Sequence, residues 1–353
     1  MNRTPHKKLK LLIISNMYPS KEKSFAGIFV KNQYEALKEI MLEDEVDIFF
    51  MKRKFTSKAG SVIKYIITFF RFFKILFKRY DIIHLHYFYP LIYIVYLYKL
   101  FYPNTKVIVT YHGSDVTKKI NENNINKLKK ISSIVDYHIP VGKALSEILE
   151  QKLNIKPNKI LPVGVNDKVF FYEDKPKIFD FIYVGSFVSR KGVDVIIKAL
   201  KNLDKSISVC FVGQGDYLKE IQELQKLNSN IKLYVGLSQD KIQHLIVQSK
   251  FLLLPTRNEG FPTSTIESMY CGVPVLVSDI PQTKEQVEDG VNGFIVPVDD
   301  VLALQNKMKE LANINDEDYK VLVTNTLTFY KDISLTSVCN ELIIIYRFLT
   351  KND

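Results

Sequence analysis

Ten short apolar runs set the limits on what this chain can fold into, because nearly every one ends in a turn and leads into a stretch of helical periodicity. They cover 9–15, 46–50, 82–86, 107–110, 179–184, 207–213, 231–236, 251–254, 274–278 and 293–297. Predominant apolarity over so few residues describes a strand buried on both faces, which is how a parallel strand sits. Strand and helix in turn imply an α/β protein with parallel, doubly wound sheets. The first run follows basic residues in the manner of a signal peptide. Its apolar centre, Leu11-Leu12-Ile13-Ile14, is too short and no small-residue cleavage site follows, so it is expected to be the first buried strand. A chain of 353 residues that is 46% hydrophobic can build two such domains. The polar, proline-bearing stretch 170–177 is the expected junction, giving domains of 1–170 and 171–334.

Two strand-to-helix passages concentrate polar chemistry. The run Phe251-Leu252-Leu253-Leu254 enters Pro255-Thr256-Arg257-Asn258-Glu259-Gly260-Phe261-Pro262-Thr263-Ser264-Thr265-Ile266-Glu267. Proline and glycine turn the chain, and Thr263 or Ser264 is suited to cap a helix. Loops at this place in an α/β sheet offer free backbone N–H groups to a phosphate. Glu259 lies on the loop and Glu267 about one turn inside the helix, so either both face one ligand or both belong to a solvated face. Upstream, strand 179–184 runs into Gly185-Ser186-Phe187-Val188-Ser189-Arg190-Lys191-Gly192 and then the amphipathic 193–200. A glycine ends the strand and two cations occupy the loop tip, an arrangement suited to a departing diphosphate or simply to water. Gly213-Gln214-Gly215 reads as a tight turn.

The Glu259–Glu267 spacing, the Glu-Gly-Phe-Pro core and the upstream glycine, spacer and Lys191-Gly192 resemble the donor-binding motifs of retaining, nucleotide-sugar-dependent glycosyltransferases of the GT-B class, family 4 type. The resemblance covers nearly the whole chain. It implies two facing Rossmann-like domains with the donor in the cleft between them, and a last helix near 335–349 that packs back on the N-terminal domain. It implies that Lys191 and Arg190 hold the diphosphate, Glu259 the sugar hydroxyls and Glu267 the ribose hydroxyls, and that Gly260, Phe261, Pro262 and Thr263 add backbone donors at the helix start. Many relatives carry arginine directly after the first glycine. Ser186 stands there in this chain, and Arg190 is expected to replace the missing contact. The implied reaction is sugar transfer with retention, the donor phosphate itself taking the acceptor's proton. An epimerase or phosphorylase of the same fold and a decayed, non-catalytic nucleotide-sugar binder are the alternatives. An epimerase needs no acceptor, a phosphorylase needs a cofactor-lysine site that is not evident, and intact Glu259, Glu267 and Lys191 speak against decay.

The N-terminal half has its own candidates. Gly27 precedes a helix expected to start near Val30. The resemblance implies a glycine that lets the backbone approach the donor phosphates, and a plain turn glycine is the other reading. His84 and His86 have a metal-like i, i+2 spacing with no third ligand nearby. His84 is therefore read as structural and His86 as a residue lining the cleft. Tyr111-His112-Gly113-Ser114-Asp115 ends a strand, where polar side chains point into the crevice of an α/β sheet. By resemblance His112 touches the transferred sugar and belongs to the catalytic environment, whereas Asp115 either touches sugar or acceptor or caps the next helix.

Charge separates the halves. Residues 1–165 hold 28 Lys+Arg against 13 Asp+Glu, and 48–80 contain no acid at all. If 61–79 is one helix, Lys64, Arg71, Lys74 and Lys78 form a basic stripe opposite Tyr65, Phe69, Phe72, Phe73, Leu76 and Phe77. That pattern suits either an anionic membrane interface or a helix packing its aromatics on the sheet. Four cations rule out a span, and the apolar 91–98 is expected to be a core helix. No helix-turn-helix, zinc finger or RNA-binding motif is present, so nucleic acid is not an expected partner. The expected partners are a nucleotide sugar and a glycan or lipid-linked acceptor. No cofactor and no metal are expected: the sole Asp-x-Asp triplet, 316–318, reads as the acidic first turn of a helix, and Lys and Arg can neutralise the diphosphate. Three scattered cysteines fit a reduced, cytoplasmic protein, in a position peripheral to the inner membrane face if 61–79 binds there.

Overall fold

The computed structural model describes residues 8–20, 25–51, 58–117, 119–330 and 332–351. Lys52, Arg53 and Lys54 of the basic run, and the side chains of Lys58, Lys64 and Tyr65, lie outside the described residues. The chain divides into two units, one of 1–164 with 335–353 and the other of 165–334. That boundary lies ahead of the proline-bearing stretch 170–177.

The first unit is built on a five-stranded parallel sheet of β1 (Lys10–Ser15), β2 (Glu45–Phe50), β3 (Ile82–His86), β4 (Lys106–Tyr111) and β5 (Tyr137–Pro140), in the order β2-β1-β3-β4-β5. Leu11 to Ile14 of β1 are fully buried, as central parallel strands must be. Ser15 pairs with His86, and His86 with Thr110, so the C-terminal ends of β1, β3 and β4 form one edge. β5 escaped the sequence reading because it is four residues long and ends in proline, which an edge strand tolerates. The helices Ile28–Ile40 (α1), Lys58–Phe73 (α2) and Ile92–Phe101 (α3) connect these strands. The helix Leu335–Thr350 packs on α1 and adds Val338, Cys339, Leu342, Ile345 and Tyr346 to the core around Leu11, Ile13, Val30 and Leu37.

Of the basic stripe expected on 61–79, Lys74 is exposed, whereas Arg71 and Lys78 are engaged with the first unit's sheet. The α-helix stops at Phe73 and a short 3-10 turn, Lys74–Phe77, follows. Arg71 turns inward, donates to the Phe50 carbonyl at 3.1 Å and lies over the Phe49 and Phe50 rings. Lys78 is paired with Glu45 and Asp47. The aromatic side is not packed on the sheet. Phe72 is buried, whereas Phe69, Phe70, Phe73 and Phe77 are exposed. In α3, Ile92, Val95 and Tyr98 are core residues and Tyr93, Tyr96 and Leu100 face out.

The second unit has a six-stranded parallel sheet of β6 (Phe179–Val184), β7 (Val209–Val212), β8 (Ile231–Tyr234), β9 (Ser249–Leu254), β10 (Val275–Ser278) and β11 (Gly293–Val296), in the order β11-β10-β9-β6-β7-β8. The order turns back on itself at β6 and β9, the switch point where α/β sheets open a crevice. Both polar passages of the sequence leave from these two strands. The Gly213-Gln214-Gly215 turn packs against the loop after β6: Phe187 N–H donates to the Gln214 carbonyl, and a side chain at Gly213 would meet the Gly185 carbonyl. Among the described residues no helix is long and apolar enough to cross a membrane, and no group of three or more His, Cys, Asp or Glu is placed to hold a metal ion.

Candidate functional site

In the second unit the two passages meet through Glu259. Arg190 and Lys191 sit in a 3-10 turn, Ser189–Lys191, that ends at Gly192 in the left-handed region with φ 72°. A Cβ on Gly192 would lie 1.7 Å from the Pro255 carbonyl oxygen, so glycine is required for the two loops to touch. Thr256 Oγ1 lies 3.0 Å from the Arg190 carbonyl, to which Arg257 N–H also donates at 2.9 Å. Arg190 Nη1 in turn donates to the Asn258 carbonyl at 2.6 Å.

This contact brings the cations onto the carboxylate. Lys191 Nζ is 2.6 Å from Glu259 Oε1, Arg190 Nη1 is 3.3 Å from Oε2, and Thr256 Oγ1 is 2.9 Å from Oε1. Glu259 is 7% exposed. Burial works to raise its pKa, but the charges of Lys191 and Arg190 outweigh it and hold the carboxyl below its ordinary value, so it is ionised. Glu267 shows the opposite balance. It lies in the helix Thr263–Tyr270, where burial pushes its pKa up to about 8 and Lys191 offsets this only in part. Lys191 therefore acts electrostatically on both glutamates.

Pro262, not Thr263 or Ser264, is the N-cap of that helix, because Thr263 already has helical geometry. Thr265 supplies the local polar contact, donating to the Pro262 carbonyl at 2.5 Å. Gly260 and Phe261 lead into this helix start, whose first N–H groups have no partner within the helix itself. Arg257 was not singled out from the sequence although it lies two residues before Glu259. It forms a bidentate pair with Asp194 at 2.7 and 2.8 Å and reaches Asp299 at 2.6 Å, holding the cation loop against the glutamate loop. Only the fold reveals those partners, which are 63 and 42 residues away in the chain.

In the first unit the sheet edge carries a row of imidazoles. His84 is fully buried between Tyr346 Oη at 2.6 Å and Thr110 Oγ1 at 2.7 Å, tying the last helix to the sheet. His86, also fully buried, lies behind His112 and lines no open surface. The Gln33 amide nitrogen lies 3.5 Å from His86 Nε2, and His86 Nδ1 lies 3.0 Å from His112 Nε2, so the three side chains form one chain of contacts. The rings of Phe29 and Tyr87 pack against His112 at 4.8 and 4.5 Å. Gln33 and Tyr87 gave no signal in the sequence, since neither lies in a motif. Asn16, just past the end of β1, has a buried Oδ1 with no hydrogen-bond partner among the described residues.

Asp115 is not available to a sugar. It is 1% exposed, and its carboxylate accepts the backbone N–H groups of Phe88 at 2.9 Å and His112 at 3.2 Å. It secures the strand-end loop. Gly27 caps α1 with φ 74°, and a Cβ there would meet the Met17 backbone at 2.6 Å, so the chain's own loop already requires glycine.

The imidazole row predicts acid sensitivity. Burial lowers the pKa of His84 and His112 well below 6.5, that of His86 to about 3 and that of His138 to about 4. Below pH 6.5 the unfolded chain binds more protons than the folded one, so stability is lost as pH falls. Asp115 and Glu267, raised by burial to about 6 and about 8, pull the other way but are outnumbered by the four imidazoles. The melting temperature should drop between about pH 7 and pH 5. A flat profile there would show that these rings are not held neutral.

Comparison with known proteins agrees with this architecture. Residues 165–328 match the profile of Glycosyl transferases group 1, and 34–168 that of Glycosyltransferase Family 4. An uncharacterized glycosyltransferase of Methanocaldococcus jannaschii is 32% identical over 72% of this chain and 71% of its own length. The N,N'-diacetylbacillosaminyl-diphospho-undecaprenol alpha-1,3-N-acetylgalactosaminyltransferase of Campylobacter jejuni is 26% identical over 56% of each chain. Anabaena HepE, crystallised with UDP and glucose, superposes with a TM-score of 0.72 at 14% identity, over 96% of this chain and 99% of that one. The likeness to HepE concerns the fold alone. With two parallel-sheet Rossmann-like units and profile matches along both, the chain belongs to the group 1, family 4 type glycosyltransferases of the GT-B fold.

Proposed function

We propose that this glycosyltransferase moves a sugar, with retention at the anomeric carbon, from a nucleoside diphosphate sugar to a glycan or lipid-linked acceptor, in the synthesis of bacterial cell-surface polysaccharide. The observation that carries the reading is the buried Glu259 carboxylate clamped by Lys191 and Arg190 beside a helix N-terminus. A donor diphosphate competes for the same two cations. As it takes them, Glu259 is released to accept hydrogen bonds from sugar hydroxyls, and Glu267 takes the ribose hydroxyls. The Gly260 to Thr263 backbone adds N–H donors. The leaving diphosphate is neutralised by Lys191 and Arg190, so the reaction needs no metal, and most of the catalytic effect is positioning and electrostatics. The donor phosphate itself takes the acceptor's proton.

On the first unit, His112 is assigned a sugar contact through Nδ1, its ring held by His86 from behind. Gly27 keeps its assignment near the donor phosphates, alongside its own need for a left-handed turn. The lipid-linked substrate named for the Campylobacter enzyme supports the acceptor class. Thermal shifts with UDP, GDP, ADP and TDP, each with EDTA and with magnesium, test the reading. One nucleotide should raise the melting temperature equally in both conditions. No shift with any of the four would remove the nucleotide-sugar assignment.

A further inference from the structure

The aromatic residues of α2 and α3 form an exposed apolar face with no role in sugar transfer. Ile66, Phe69, Phe70, Phe73 and Phe77 recur at helical spacing along α2 and the turn after it, and all are exposed. Tyr93, Tyr96, Leu100 and Phe101 do the same on α3. The two helices are locked together beneath this face by Phe72 against Tyr98, and by Tyr98 and Tyr102 hydroxyls donating to the Lys78 and Leu76 carbonyls. A shallow groove lined by Ile66, Phe69, Tyr89, Pro90, Leu91 and Tyr93 runs from the second half of α2 to the start of α3. Nine large exposed apolar side chains on two neighbouring elements exceed the scattered exposure normal for a soluble surface.

Charge selects the occupant. Residues 48–114 contain eleven Lys and Arg but a single acid, Asp81, and its carboxylate is taken by the Lys10 backbone N–H. Lys74 and Arg79 are exposed beside the aromatic rings. A second copy of the chain would bring the exposed Lys74 and Arg79 of both faces together, which opposes self-association. Anionic phospholipid offers both an apolar layer for the rings and negative headgroups for the rim.

We propose that the α2–α3 face inserts its aromatic side chains into the headgroup–acyl boundary of an anionic bilayer, with apolar burial as the main term. The inward turn of Arg71 and Lys78 is the reason: the face that meets lipid is the aromatic one, and the cations only border it. This differs from a helix lying on its basic stripe and does not depend on the transferase reading, because binding rather than turnover is measured.

The test is co-sedimentation of the full chain with vesicles of phosphatidylcholine, alone or mixed with phosphatidylglycerol, at low and high salt. Wild type should pellet with the mixed vesicles, and high salt should remove the preference for phosphatidylglycerol while leaving binding to both. Phe70 and Phe77 are 70% and 77% exposed, so Phe70→Ser/Phe77→Ser should fold as wild type, confirmed by an unchanged melting temperature. Its partition coefficient should fall roughly a hundredfold, from the apolar area no longer buried. Equal pelleting of this variant and wild type, no pelleting of wild type, or complete release at high salt would each overturn the proposal. So would a wild-type dimer by light scattering that the double variant converts to monomer, since the face would then be a self-contact.

Discussion

Glu259→Ala is expected to lower kcat by about a thousandfold or more, the scale at which loss of one preorganised polar contact to the reacting group is felt. Its effect on nucleotide binding should have the opposite sign. In wild type the carboxylate neutralises Lys191 and Arg190 at 2.6 and 3.3 Å. With it gone, a largely buried ammonium and a guanidinium have lost their nearest anion, and removing one member of such a buried pair costs about 3–5 kcal/mol. The variant should therefore melt lower than wild type. A nucleoside diphosphate brings the missing charge and should raise its melting temperature by more than it raises that of wild type. Glu259→Gln, which keeps the shape without the charge, should show the same pattern. Transfer within tenfold of wild type in either variant would mean that Glu259 does not hold the sugar.

Gly192→Ala is expected to destabilise the second unit strongly, at roughly 3–5 kcal/mol. Two costs combine. A residue with a side chain pays about 1–2 kcal/mol to adopt the left-handed region, and here its Cβ would sit 1.7 Å from the Pro255 carbonyl oxygen, so backbone must move. Gly290→Ala is the control: φ is 77° but nothing lies within 4 Å of the added Cβ, so only the conformational cost remains. Urea unfolding of the two variants separates the terms. If Gly192→Ala cost no more than Gly290→Ala, the close approach of the cation loop to the Pro255 loop would not exist in solution. Because that approach sets the Lys191–Glu259 contact, nucleotide binding should weaken in the same variant.

The parallel sheets were legible in the sequence because their cause is local. A strand buried on both faces must be predominantly apolar, and such runs stand out in any chain that alternates them with amphipathic helices. β5 is the exception that confirms the cause: an edge strand has only partial burial, so Tyr137-His138-Ile139-Pro140 carries no unbroken apolar signal. The site is legible to the same degree. Arg190, Lys191 and Glu259 announce themselves because each lies in a glycine- or proline-marked turn at the end of an apolar run, and Glu267 lies one turn into the helix that follows.

What the sequence could not reveal is which charges find one another and which way a helix turns. Arg257 is one cation among many until the fold brings Asp194 and Asp299 to it. Asp115 reads equally as ligand or helix cap, and only burial at 1% with the Phe88 and His112 backbone N–H groups on its carboxylate shows that it anchors the strand-end loop instead. On α2 the periodicity suggests a basic side opposite an aromatic one, but periodicity carries no information about which residues meet the sheet. The sheet took Phe72 and the Arg71 guanidinium and left Phe69, Phe70, Phe73 and Phe77 outside. The sequence by itself determined the element types, the parallel sheets and the residues able to do chemistry, since those follow from local composition and turn geometry. The tertiary structure decided the ion pairs, the imidazole row and the exposed face, since those depend on distances between segments that the chain order does not encode.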